Sequence, residues 1–200
     1  MQLRDYQAQA VEAVARKLTQ HKKVVFQLAT GGGKTITFSA IAKRYIEKSG
    51  KAVLILVHRK ELLQQTRKTL FQFAGIHSQV IIAGMKTVPD APVYVGMVES
   101  VNRRIDRLKN IGLVIIDEAH NLSFAKMHEH FPEQMIIGFT ATPLTSNKAK
   151  PLKNYYQDIV CGVDIPDLIK MGSLCQNITY APKNVDPKTL ATEAGELDER

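Results

Sequence analysis

Short apolar runs alternate along this chain with longer stretches in which apolar residues recur at helical spacing. Tyr6, Ala10, Val11, Val14 and Leu18 repeat three or four positions apart, so residues 4–20 predict a first amphipathic helix. Lys23–Ala29 follows as a short apolar strand. Ile36, Phe38, Ile41, Ala42 and Tyr45 predict a second helix over Thr35–Ile46, closed by Ser49-Gly50. Ala52–Val57 is unbroken apolar sequence, the pattern of a strand buried on both faces of a parallel sheet. Lys60–Phe73 reads as a helix that stops before Gly75. Shorter strands are expected at Gln79–Ala83 and Val93–Met97, separated by the turn-rich stretch from Thr87 to Pro92. A helix over Val98–Leu108 then leads to strand Leu113–Ile116, and Met135–Phe139 is a further strand. Strand and helix alternate throughout, which predicts a doubly wound, mainly parallel α/β sheet with helices on both faces. The tail, residues 182–200, is polar, ends in an acidic cluster and reads as a linker.

Composition narrows the class. With 200 residues and 44% hydrophobic content, the chain suits one domain with a sizeable core. No apolar run approaches the roughly 18–20 residues that span a membrane, and Met1–Asp5 lacks the apolar segment of a secretory signal. The two cysteines, Cys161 and Cys175, form neither a CxxC pair nor a disulfide framework. They are expected to be small core residues in a reduced, cytoplasmic protein. A net charge of +8 and a pI near 9.5 favour a polyanionic partner.

Candidate chemistry lies in two places. Thr30-Gly31-Gly32-Gly33-Lys34-Thr35 sits between an apolar strand and a helix. Its glycines let the backbone approach an anion closely, and the helix that follows aims the positive end of its dipole at the same anion. Lys34 would reach the β- and γ-phosphates of a nucleotide, and the Thr35 hydroxyl would ligate Mg²⁺. Leu28 stands where the strict GxxxxGK[ST] pattern has its first glycine, and taken alone the segment also fits an ordinary strand-to-helix turn. The second place is Asp117-Glu118-Ala119-His120, after the apolar run Leu113–Ile116. Asp117 would hold the metal, and Glu118 is the group to orient and deprotonate an attacking water. Both segments would lie at the carboxyl ends of parallel strands, where open α/β sheets bind ligands. The pair predicts a nucleoside triphosphatase.

Other residues keep two readings. Arg59 opens a helix after a buried strand and can hold a phosphate, or it is a solvated surface charge. Gln7 offers the paired donor and acceptor that match an adenine edge, or it is an exposed helix glutamine. His128 and His130 are two apart on a helix, which turns them to opposite sides and does not make a zinc pair.

The order Leu3-Arg4-Asp5-Tyr6-Gln7, Ala29–Thr35, His58-Arg59-Lys60-Glu61-Leu62, Asp117–His120 and Thr140-Ala141-Thr142-Pro143 resembles the first RecA-like domain of superfamily-two helicases. Within them it resembles the DEAH-box branch of type III restriction motor subunits, XPB-like repair helicases and RadD-like bacterial proteins. The resemblance implies an ATP-binding domain over residues 1–181 of an ATP-dependent DNA or RNA helicase or translocase. It implies that Arg4 and Gln7 recognise adenine, that Lys34, Asp117, Glu118 and His120 serve hydrolysis, and that Thr140 and Thr142 couple it to movement. His120 would bridge the metal-binding segment to Thr140–Thr142. Arg59, Lys60, Glu99, Ser100 and Arg103 would contact nucleic acid, although Met97 stands where the family often has threonine. A duplex translocase that does not unwind and a nucleotide-dependent nucleic-acid clamp are the alternative functions.

Motors of this kind clamp ATP between two RecA-like domains, the second supplying arginine fingers. After Pro143 the only arginine is Arg200. The chain is therefore expected to need a second RecA-like domain, from the same or another polypeptide. Without the fingers, worth roughly 10³–10⁵ in rate in comparable enzymes, it should bind nucleotide yet turn it over slowly.

Overall fold

The structure, a computed structural model, describes residues 2–145, 149–176, 178, 192–193 and 196–197. Seven strands form one sheet in the order β3-β4-β2-β5-β6-β1-β7, every neighbouring pair parallel. They are β1 (Lys23–Gln27), β2 (Ala52–Val57), β3 (Ser78–Ile81), β4 (Val93–Met97), β5 (Ile111–Asp117), β6 (Met135–Thr140) and β7 (Asp158–Cys161). The helices are α1 (Asp5–Leu18), α2 (Lys34–Ser49), α3 (Lys60–Thr69), α4 (Val98–Asn102), α5 (Ala125–His130) and α6 (Ile165–Lys170). This is the RecA-like arrangement of a P-loop nucleotide-binding fold.

The continuous apolar runs make sense once both faces are considered. In β2 all six residues are buried, because Val53, Ile55 and Val57 point to one face and Leu54 and Leu56 to the other. The first face packs on Val11 and Val14 of α1, Phe38 and Ile41 of α2, Leu63 of α3 and Leu168 of α6. The second packs on Val98 and Val101 of α4 and on Met127 of α5. Phe139 ties the first layer together, meeting Phe26 and Phe38 edge-on at ring separations of 5.3 and 5.4 Å. Gly138 leaves the room on the second face that Tyr156 and Ala119 fill, since a Cβ there would lie 2.5 Å from the Tyr156 hydroxyl.

Several expectations are corrected. The helix expected over Val98–Leu108 breaks after Asn102 and resumes as a single 3₁₀ turn at Ile105–Arg107. Arg104 is the cause: its Nε donates to Met85 O at 3.1 Å and its Nη1 to Ser100 O at 3.0 Å, with a backbone φ of −135°. The helix over Lys60–Phe73 changes winding at Leu70–Ala74, a π turn that ends at Gly75 in the left-handed region, φ +69°. Cys161 and Cys175 are exposed, not core residues. Cys161 ends edge strand β7, where only Val160 turns inward, and Cys175 follows α6. Strand β7 and helices α5 and α6 lie where the apolar pattern predicts no element. Most of the tail over 182–200 lies outside the described residues, apart from Thr192–Glu193 and Glu196–Leu197, which pair antiparallel as β8 and β9.

Candidate functional site at the carboxyl edge of the sheet

Sheet order brings the two sequence segments together. β6 lies between β1 and β5, with Gln27 opposite Thr140 and Asp117 opposite Phe139. The glycine loop, the Asp117–His120 segment and the Thr140–Thr142 segment therefore leave the sheet side by side. Leu28 N still donates to Thr140 O at 3.0 Å, which holds the root of the loop against β6.

Gly33 caps α2 with φ +88° and Gly31 has φ +80°, conformations that side chains rarely adopt. α1 grips the loop from outside, because the Tyr6 hydroxyl donates to Gly32 O at 2.9 Å. Gln7 is buried, not exposed; its Oε1 accepts from Arg4 N at 3.0 Å and its Nε2 lies where a Gly33 Cβ would be. Leu174 covers Gly31, 2.8 Å from where a Cβ would stand. Gly33→Ala should thus meet both backbone strain and Gln7, whereas Gly50→Ala, at φ +64° with open space around it, meets strain alone. The strain should cost about 1–2 kcal/mol, or about 2–8 °C in Tm for a domain of this size. Circular dichroism melts of both variants check this, with the larger drop expected for Gly33→Ala.

Opposite the loop, Lys34 Nζ lies 3.5 Å from Glu118 Oε1, and Glu118 Oε2 lies 3.4 Å from His120 Nδ1. His120 Nδ1 is also 2.9 Å from Thr140 Oγ1, which donates to Thr142 O and accepts from Thr142 N at 2.9 and 3.1 Å. One chain of polar contacts thus runs from Lys34 to Thr142. Glu118 itself has φ +54°, a strained value for a glutamate, costing roughly 1–3 kcal/mol. The bonds from Ala119 N to Phe139 O (2.8 Å) and from Glu118 N to Asp117 Oδ1 (3.1 Å) hold that turn.

Burial, and then the neighbouring Glu118 charge, push Asp117 from its ordinary value up to about 6, against the pull of Lys34. A carboxylate raised in the folded state keeps its proton to higher pH than in the unfolded chain. Its contribution to stability is therefore full below about 4 and lost as pH rises through about 6. Asp117→Asn should remove that loss and stabilise the nucleotide-free domain at pH 7 by up to about 3 kcal/mol, with little change at pH 4. Thermal melts at the two pH values, in metal-free buffer, are the check.

The remaining predicted residues lie further along the same edge. β2 and β4 are neighbours, with Val57 opposite Met97, so Arg59 and Lys60 emerge beside Glu99, Ser100 and Arg103. Arg59, Lys60, Glu99 and Arg103 are exposed, and Ser100 is half-buried. None of them touches the Lys34–Thr142 chain in an observed bond. Arg4 and Thr35 lie at the head of α1 and in the first turn of α2. His128 is buried and packs its ring on Tyr155 and Tyr156, at 5.3 and 4.8 Å. Tyr6 and Leu174 also border the loop, beyond the residues the sequence points to. Only Tyr6 carried a signal, a tyrosine in an otherwise aliphatic stripe with a hydroxyl that needs a partner.

The fold and the family resemblance place the domain in the ATP-driven helicase and translocase class. The chain belongs to the family described as "Type III restriction enzyme, res subunit", which matches residues 1–145, and it is a first RecA-like domain of superfamily two. It is 32% identical over 195 residues to "Putative ATP-dependent helicase IRC3" of Saccharomyces cerevisiae, covering 87% of this chain and 28% of that protein. Two solved structures share the fold. One is the Type ISP restriction-modification enzyme LlaGI in complex with a DNA substrate mimic (TM-score 0.69, 18% identity, 86% of this chain and 21% of that one). The other is the UvsW helicase from bacteriophage T4 (TM-score 0.67, 19% identity, 80% and 60%). The chain spans only 28–35% of the length of the first curated relatives it matches. Among the described residues, no helix is long and apolar enough to cross a membrane.

Proposed function

We propose that this domain binds ATP with Mg²⁺ in the glycine-loop pocket, hydrolyses it, and drives movement along DNA or RNA. The observation that carries the reading is the continuous set of contacts Lys34–Glu118–His120–Thr140–Thr142. Glycine-loop N–H groups and the head of α2 receive the phosphates, and Lys34 leaves Glu118 for the β- and γ-oxygens. Glu118, freed from Lys34, takes the proton of the attacking water. His120 then transmits the change at Glu118 to Thr140 and Thr142. Arg4 and Gln7, fixed against the loop, read the adenine edge.

The residues present fit a magnesium ion. Thr35 Oγ1 and the Asp117 carboxylate are hard oxygen donors. The burial that raises Asp117 leaves a carboxylate whose charged form calls for a cation. When bound, the ion neutralises charge between the β- and γ-phosphates.

Residues 1–181 form the motor domain in this reading, and 182–200 lead toward a second RecA-like domain that supplies arginine fingers. An intracellular setting goes with it; both thiols are free. ATP turnover by the full-length protein, with and without single-stranded oligonucleotide, tests the reading, and absence of nucleic-acid-dependent turnover rejects it. Strand displacement separates unwinding from translocation along duplex.

Nucleic acid would cross the edge at Arg59, Lys60, Glu99, Ser100 and Arg103, held by its phosphates, because a motor must step over any sequence. Arg59→Ala should weaken binding equally for unrelated oligonucleotides and lower the salt slope by about one contact. Fluorescence anisotropy across a salt series measures both. An unchanged slope removes Arg59 from the path.

A further inference from the structure

Between the proposed nucleic-acid edge and the nucleotide pocket stands one residue that neither half of the mechanism uses. His58 is the first residue beyond β2 and directly precedes Arg59, the N-cap of α3. β2 runs parallel to β5 with Leu56 opposite Ile116. His58 and Glu118 each stand two residues beyond that pair, at the carboxyl ends of the two neighbouring strands. The half-buried ring has its Nδ1 shut off from solvent with no hydrogen-bond partner, a state that costs stability when nothing offsets it. Burial and the Arg59 charge hold the ring below its ordinary pKa, while Glu118 acts on it in the opposite sense and His120 adds to the lowering. Those charges belong to the two sites the residue separates.

Glu118 is shared between Lys34 and His120. A triphosphate that claims Lys34 leaves one carboxylate oxygen without its cation. His58 Nδ1 is a buried polar atom without a partner at the end of the neighbouring strand, on a ring that feels the Glu118 charge.

We propose that His58 is a positioning residue: it hydrogen-bonds the Glu118 carboxylate once Lys34 turns to phosphate, and it passes nucleic-acid engagement at Arg59 to the catalytic carboxylate. The inference rests on the motor reading above and deepens it. A phosphate held by Arg59 fixes the backbone at the start of α3, and His58, one residue away, is fixed with it. Glu118 sits on a strained turn and needs such a partner to aim at water, since misaligning a reacting group can cost up to about 10²-fold in rate.

Two measurements test the contact and the coupling separately. The first follows the His58 ring nitrogens by ¹⁵N NMR in the 200-residue chain, with a non-hydrolysable ATP analogue and Mg²⁺, for wild type and Glu118→Gln. The His58 resonances should move on adding nucleotide and should differ between the two proteins. Resonances unmoved by either change overturn the contact.

The second measures ATP affinity and nucleic-acid-stimulated kcat in the full-length protein carrying His58→Leu or His58→Asn. His58→Leu, similar in bulk but without a donor, should keep ATP and oligonucleotide affinity and lose about tenfold or more of the stimulated kcat. His58→Asn, whose amide N–H stands near the Nδ1 position, should recover most of it. Equal damage in both variants, or none in His58→Leu, overturns the coupling. A wild type whose turnover ignores nucleic acid overturns the motor reading and the coupling with it, while the NMR result still decides the contact.

Discussion

Glu118→Gln is expected to bind ATP and Mg²⁺ as the wild type does and to turn ATP over about 10²- to 10⁴-fold more slowly. The amide has nearly the shape of the carboxylate, so the turn at φ +54° and its two backbone bonds survive. Its oxygen can still accept from His120 or from water. What it cannot do is receive a proton. Metal binding should not suffer either, because the Glu118 charge is one of the influences that raise Asp117. Removing that charge lets Asp117 ionise more readily at neutral pH and strengthens it as an oxygen ligand. Calorimetry with ATP and Mg²⁺ beside phosphate release by the full-length protein separates the two effects. Turnover near the wild-type rate would remove Glu118 as the base.

How much of this was readable along the chain depended on how local the cause was. β2 at Ala52–Val57 and β4 at Val93–Met97 coincide with the expected strands, because each is a short apolar run whose pattern shows locally in the sequence. β7 was missed since only one of its four residues is buried, too short a pattern to show a period. α5 is six residues long and carries two histidines, a lysine and a glutamate, so no apolar stripe announces it. The expected helix over Val98–Leu108 kept its apolar spacing through Ile105 and Leu108. It broke because Arg104 bonds Met85, nineteen residues earlier in sequence, and that tertiary bond outweighs local periodicity.

The site divides the same way. Glycines before Lys34 and carboxylates after a buried strand are local necessities of binding phosphate and metal, so both segments stood out. The burial of Gln7 against Gly33, the Tyr6 bond to Gly32 and the approach of Lys34 to Glu118 all depend on which strands lie next to one another. That order comes from crossover connections, and no single segment encodes it. The cysteines illustrate the reverse error: a residue type that is usually buried was assigned to the core, and the edge position of β7 turned Cys161 outward.

Lys34→Ala is expected to lower ATP affinity by about 10- to 100-fold, the weight of charged hydrogen bonds to phosphate at about 1.5–3 kcal/mol, and to leave no measurable turnover. The Lys34 side chain is only 10% exposed, so little solvent shields it from what it faces. Its ammonium pairs with Glu118, and its charge pulls Asp117 down. Without it a triphosphate must enter a pocket holding two carboxylates and no compensating ammonium. Asp117 should also climb above about 6 once that pull is gone, which weakens it as a metal ligand at neutral pH. The loss should be larger for ATP than for ADP, because the ammonium would reach the γ-phosphate as well as the β. Raising the pH from 6 to 8 should restore part of the metal-dependent component but none of the phosphate contact. Calorimetric titration of wild type and Lys34→Ala with both nucleotides, with and without Mg²⁺, reads each effect separately. Equal losses for ATP and ADP would move Lys34 away from the γ-phosphate, and unchanged ATP affinity would remove it from the phosphate site altogether.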